Sequence, residues 1–293
     1  MRVLVGLFAF AFALVPATSG HCQVTRTINF GDHPGAATVE GLGAEVTLQP
    51  VKDSGDMIGM SAAIRIPGYQ SIIVTEGGGS QAGYDRWVAI GKLSASDPAP
   101  SVLLEGFSGG AHCCATLKAV VPTAGRLKVI EFEAIDGDSD KTFPKDIDGD
   151  GVADFVRADD RFQYAFASHA GSFSPPMIFN IYKGQLVDVS AQPGFRPLWL
   201  SFAKVTRTAC ADLKNDDRNG ACVAYVAAKA RLGKYDEAAA EADKLANHKA
   251  GTELPEGCTI EANGLECPTD KKIKFYTFRN ALRWFLQHTG YIE

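Results

Sequence analysis

From about residue 24 to residue 200 the chain is a succession of short apolar or alternating runs, each closed by a cluster of Gly, Pro, Asp or Ser. Runs at 44–48, 61–66, 71–75, 86–93 and 101–104 have the length and period of strands. The same holds for 115–121 and for 127–133, where Leu127, Val129 and Phe132 recur among charged positions. Residues 177–182 and 185–189 flank Lys183-Gly184 and predict a hairpin. Gly77-Gly78-Gly79, Pro98-Ala99-Pro100 and Ser174-Pro175-Pro176 would break any helix that began between these runs. Phe162, Tyr164 and Phe166 alternate, which predicts one face of a further strand, in the core or as a stacking platform. The expectation is a mainly β domain over 24–200.

The period changes near residue 200. Segments 222–232 and 236–247 are Ala-rich and helical in pattern, joined by Gly233-Lys234-Tyr235. The turn at 232–238 resembles the inter-helix turn of a tetratricopeptide repeat. One helical pair is too short for an array, so packing against the β domain is expected. A last helix is predicted over 272–288, with Phe275, Phe278, Leu282, Phe285 and Leu286 on one face and Gly290 ending it. Residues 201–293 thus form a small α-helical C-terminal domain.

Residues 1–20 follow a third pattern: Arg2, an apolar run over 3–15, then Pro16-Ala17. A run of this length is too short to cross a bilayer and suits a secretory signal peptide, cut after Ala17 or Gly20. No later stretch is long or apolar enough to span, so the mature chain is expected to be periplasmic or secreted, with no transmembrane segment. Composition is that of a globular protein, 46% hydrophobic and 22% charged, with net charge −5. This mild acidity argues against a nucleic-acid partner and leaves an envelope or extracellular ligand.

One stretch names its own chemistry. Asp146, Asp148, Asp150 and Asp154 alternate with Gly149 and Gly151. Carboxylates so spaced, on a backbone that can curl, offer hard oxygens around one point, and calcium takes six to eight of these in forgiving geometry. Asp146, Asp148 and Asp150 would ligate through side chains, Val152 through its carbonyl, and Asp154 directly or through water. An EF-hand would have Glu at the twelfth position, where this chain has Arg157, and helices rather than strands on both sides. The alternative is a solvated acidic turn. Asp136-Gly137-Asp138-Ser139-Asp140 is a second acidic cluster without the full pattern.

A second stretch, Phe107-Ser108-Gly109-Gly110-Ala111-His112-Cys113-Cys114, carries three readings. It is a Gly-rich turn between strands whose cysteines form disulfides, to each other or to distant partners. It is a metal or redox site of His112 with the thiols of Cys113 and Cys114. Or Ser108 is a nucleophile in a G-x-S-x-G elbow, with His169 or His112 as base and one of the aspartates within 136–160 as orienter. An elbow demands a following helix, and 115–121 reads as a strand.

All seven cysteines lie beyond the predicted cleavage site, which makes them disulfide candidates first in an oxidising compartment. Cys210 with Cys222, Cys258 with Cys267 around Asn263-Gly264, and Cys113 with Cys114 is a consistent pairing that leaves Cys22 over.

The D-x-D-G-D-G-x-x-D loop running into Phe155-Val156 resembles the FG-GAP, or VCBS, repeats of integrin-type β-propellers over about one repeat. Together with the Ser108 to Cys114 stretch and Asp160-Arg161-Phe162, it resembles a group of exported bacterial proteins of unknown function over about residues 100–190. The resemblance implies a calcium loop, export and a partial propeller or a sandwich, and it implies no activity. The sequence therefore points to an exported, calcium-stabilised binding protein; the competing classes are a serine hydrolase and a metal or redox protein.

Overall fold

The protein is described from a computed structural model covering residues 23–29, 36–52, 58–79, 85–107, 114–136, 141–249, 254–260 and 267–293. The predicted signal peptide, Cys22, Ser108, His112 and Cys113 lie outside the described residues.

The first nine strands are β1 (Gln23–Asn29), β2 (Ala37–Gly41), β3 (Ala44–Lys52), β4 (Ile58–Arg65), β5 (Ile72–Gly79), β6 (Asp85–Gly91), β7 (Ser101–Phe107), β8 (Ala115–Thr123) and β9 (Arg126–Glu131). They form two antiparallel sheets, ordered β2-β3-β4-β5 and β1-β6-β7-β8-β9. The sheets share a core in which Val46, Leu48, Met60 and Ile64 of the first are clustered with Val88, Ile90, Val102, Leu104 and Val120 of the second. The alternate side chains of the five-stranded sheet, Trp87, Ala89, Leu103, Leu117 and Ala119, build a separate core with Phe132, Phe143 and Phe155. Burial on both faces explains why β7 reads as a nearly unbroken apolar run rather than an alternating one.

Against that second core lies a small sheet of β10 (Phe155–Ala158), β11 (Pro176–Tyr182) and β12 (Gln185–Asp188). Phe132 meets Phe155 at 4.8 Å and Phe179 at 6.3 Å between ring centroids. The β11–β12 turn is the predicted one, and Lys183 and Gly184 both take positive φ, 50° and 71°, as a type I′ turn requires. The sheets stack face to face; among the described residues there is no ring of blades about a channel.

The chain ends in α1 (Arg196–Cys210), α2 (Asn219–Arg231), α3 (Tyr235–Leu245) and α4 (Phe278–His288). Their core includes Phe162, Phe166, Ile178 and Val189, so the helices are welded to the β part rather than hung from it. Phe285 of α4 meets Phe162 and Phe166 edge-on at 4.8 and 5.4 Å. Tyr291 donates its hydroxyl to Asp159 Oδ2 at 3.0 Å, and Arg161 grips both oxygens of the same carboxylate at 2.7 Å. No helix among the described residues is long and apolar enough to cross a membrane.

Two expectations are corrected. Phe162, Tyr164 and Phe166 do not share a strand face. Asp159 caps a short 3-10 turn over Asp160–Phe162, and Tyr164 takes φ 56°, which turns its ring out to 60% exposure while both Phe side chains are buried. The final helix begins at Phe278, capped by Thr277 accepting from the Asn280 amide, so Phe275 precedes it. The sequence reading also passed over α1, although Trp199, Ala203, Thr206 and Cys210 are buried at helical spacing.

Candidate functional site

The acidic loop is closed at its base by the Lys145–Asp154 bridge, in which the Asp154 amide donates to the Lys145 carbonyl at 2.9 Å. Inside it the carboxylates organise the backbone. Asp146 accepts from the amides of Gly149 at 2.7 Å and Gly151 at 3.0 Å. Asp154 accepts from the Ile147 amide and from Asn180 Nδ2, both at 2.7 Å. Gly149 and Gly151 hold φ of 84° and 88°, conformations that admit glycine and strain other residues.

The structure brings three of the four predicted acidic ligands together. Asp146, Asp148 and Asp154 each offer one oxygen within 4.8 Å of the others. Oxygens on a shell at ~2.4 Å from a cation are at most ~4.8 Å apart, a limit these three meet. Asp150 is not among the three; its Oδ1 accepts from the Val152 amide at 2.8 Å. Val152 lies in a bridge to Ser94. Partial burial raises the Asp148 carboxyl above the usual carboxylate range, opposed by the Asp150 amide and reinforced by repulsion from Asp150, Asp154 and Asp146. The loop also abuts the start of the helical part: a Cβ on Gly194 would lie 2.6 Å from Asp148 Oδ2.

A second polar cluster gathers where the β7–β8 hairpin reaches Phe107 and Ala115. His169 Nε2 meets Asp136 Oδ2 at 2.7 Å, and the Asp136 amide donates to the Asp160 carboxylate. Arg157 Nη2 donates to the carbonyls of Ala115 and Glu133 at 3.2 and 3.1 Å. Burial lowers the affinity of the Arg157 guanidinium for its proton, against the opposing charges of Glu105 and Asp160. Burial raises the Asp160 carboxyl, and the Asp136 charge adds to that, while the Asp136 amide and Arg157 oppose it. In the sequence Arg157 stands out only as the residue at the EF-hand glutamate position. The signal that could have found this cluster is Glu105 inside an otherwise apolar strand.

For the hydrolase reading, His169 does reach an aspartate in the predicted window, while Ser108 and His112 are outside the described residues. The next described element after β7 is β8, a strand paired antiparallel back onto it, whereas a nucleophile elbow is followed by a helix. Cys114 is in a disulfide, which removes it as a thiolate ligand for a metal. Cys210–Cys222 and Cys258–Cys267 are bonded as predicted.

Fold and loop together define a disulfide-bearing, mainly antiparallel β protein with a helical C-terminal region. Residues 201–290 match the family described as the sll0997 C-terminal domain. The chain is 31% identical over 205 residues to the "Probable thylakoid lumen protein sll0997" of Synechocystis sp. (strain ATCC 27184 / PCC 6803 / Kazusa). That similarity takes in 69% of this chain and 59% of the relative, so the chain spans about three fifths of the relative's length. No solved structure matches.

Proposed function

We propose that this chain is an exported binding protein, acting without catalysis of its own, whose acidic loop is held by one calcium ion. The convergence of Asp146, Asp148 and Asp154 carries the metal part of the reading. Its donors are all carboxylate oxygens, which suit a hard cation and not copper or zinc. Bound calcium supplies charge neutralisation. Asp146 and Asp154 keep their backbone bonds, Asp148 loses the repulsion of its neighbours, and the loop is locked beside Gly194 at the entry to α1.

Export is supported by the N-terminal pattern, by disulfides suited to an oxidising compartment, and by the lumenal relative. The ligand would be a constituent of that compartment, in an envelope or outside the cell.

Calorimetric titration of calcium into the chelator-stripped mature protein should show one site that Asp148→Asn abolishes. At a hundredfold excess over Kd, calcium should stabilise the parent by about 2.7 kcal/mol. Without calcium, Asp148→Asn should melt above the parent, because the substitution removes one of four clustered charges and keeps the oxygen that accepts from Asp150. No heat at millimolar calcium, with both proteins melting alike, overturns the metal reading.

The His169–Asp136 contact is the one observation favouring a serine hydrolase. A fluorophosphonate probe should leave the protein unlabelled; labelling that Ser108→Ala removes would establish that reading instead.

A further inference from the structure

Between the five-stranded sheet, β10 and α1 lies a cleft of about 730 Å³. This is the size of a pocket for a small organic molecule. Trp87, Leu103, Phe143, Phe155 and Phe202 give it apolar surfaces, while Glu105, Arg157 and Asp136 also line it. Glu105 and Arg157 are 7% and 8% exposed, so two ionic groups have been taken out of water to border this space.

Their bonding is incomplete in a particular way. Arg157 places Nη2 on two backbone carbonyls, yet its buried Nε–H has no acceptor. Asp136 engages His169 through Oδ2, yet its buried Oδ1 has no donor. An unsatisfied buried polar atom costs about 1–3 kcal/mol, more when charged, and such atoms in a folded protein call for a partner. The missing partner must offer an acceptor to Arg157 and a donor to Asp136.

Charge narrows the class. Arg157 already faces Glu105 and Asp160. Glu105, Asp136 and Asp154 line the cleft against Arg157, Lys141 and Lys145, three groups of each sign, so a head of either charge meets repulsion as well as attraction. We propose that the cleft binds a small uncharged amphipathic molecule whose aromatic or aliphatic body lies on Trp87, Leu103 and Phe202. Its neutral head, of the carboxamide or hydroxy-carbonyl type, bonds Arg157 and Asp136. The inference rests on the binding-protein reading; Lys145, Ile147 and Asp154 of the acidic loop border the same cleft, so it is tested with and without calcium.

The probe is 2-naphthamide, with 2-naphthoate and 2-naphthylmethylamine as charged counterparts of the same body, titrated calorimetrically into the mature protein with chelator and with calcium. The amide should bind at one site, about tenfold or more tighter than either charged form. Ser201→Trp, at an exposed position of α1 on the rim, should weaken it at least about tenfold by filling the cleft, without changing the melting temperature. Arg157→Lys should weaken the amide while sparing the weak binding of the charged forms. No saturable binding, binding indifferent to Ser201→Trp, or preference for the carboxylate overturns the inference. Calcium heat that persists while the amide fails isolates the failure to the cleft; the reverse result isolates it to the metal loop.

Discussion

Arg157→Met should destabilise the protein by about 3–5 kcal/mol, read as a fall in the denaturant midpoint at unchanged slope. The guanidinium is 8% exposed and ties the start of β8 to the segment after β9 through the Ala115 and Glu133 carbonyls. Met fills much of the same volume, so the loss is mainly of charge and hydrogen bonds. It leaves two acceptors without this donor and removes the positive charge that faces Glu105 and half-buried Asp160. Two hydrogen bonds from a charged, buried donor, at roughly 1.5–3 kcal/mol each, set the size of the effect.

The same variant should show a pH signature. In the parent the Asp160 carboxyl already lies above the usual range in the folded state, held up by burial, with Arg157 pulling it down. Removing Arg157 raises it further. A carboxyl that holds its proton more tightly folded than unfolded stabilises the fold below the unfolded pKa, and that stability is lost as pH rises through the folded value. The deficit of Arg157→Met relative to the parent should therefore be smallest in acid and grow towards neutral pH. A deficit below about 1 kcal/mol, flat with pH, would mean that water screens the cluster.

What the sequence made legible depends on whether the physical cause was local. The strands at 44–52, 85–91 and 115–123 are visible because each carries its own period and turn residues, and Lys183-Gly184 names its turn type outright. The acidic loop is legible for the same reason: glycine spacing and carboxylate spacing sit within nine residues. Asp150 departs from the pattern although its bond from the Val152 amide is of the same kind that Asp146 and Asp154 make, so spacing alone does not single it out. The run Phe162, Tyr164 and Phe166 misleads because an Asp cap three residues upstream outcompetes its strand period. The second cluster is invisible in one dimension. Glu105, Asp136, Arg157 and His169 come from β7, a post-strand segment, β10 and a 3-10 turn, and only the stacking of the small sheet on the five-stranded one makes them neighbours. The helical core shows a milder form of the same limit. α2 is buried over its first ten residues, so its pattern has no polar face to mark orientation, and its partner α1 starts at a Pro-Gly turn that reads as a break.

That burial makes the Cys210–Cys222 bridge the other point of large effect. The double variant Cys210→Ala/Cys222→Ala should lose about 3 kcal/mol from loop closure alone, by the chain-entropy account of a loop this short. Packing losses add to this, because both cysteines are fully buried in the helical core. The loop they span, by contrast, is mostly exposed and charged, and contributes little apolar contact of its own. Far-UV circular dichroism through a urea titration should show helix lost at lower urea in the double variant than in the parent. Selective reduction supplies the control. Cys258 and Cys267 are both partly exposed, so mild thiol treatment of the folded protein should open that bridge and leave Cys210–Cys222 intact until the helices unfold. If the double variant keeps the parent midpoint, α1 and α2 are held by their packing alone and the bridge adds nothing that the fold requires. If both bridges reduce together under native conditions, the helical part opens far more readily than a core containing Trp199, Phe162 and Phe285 allows.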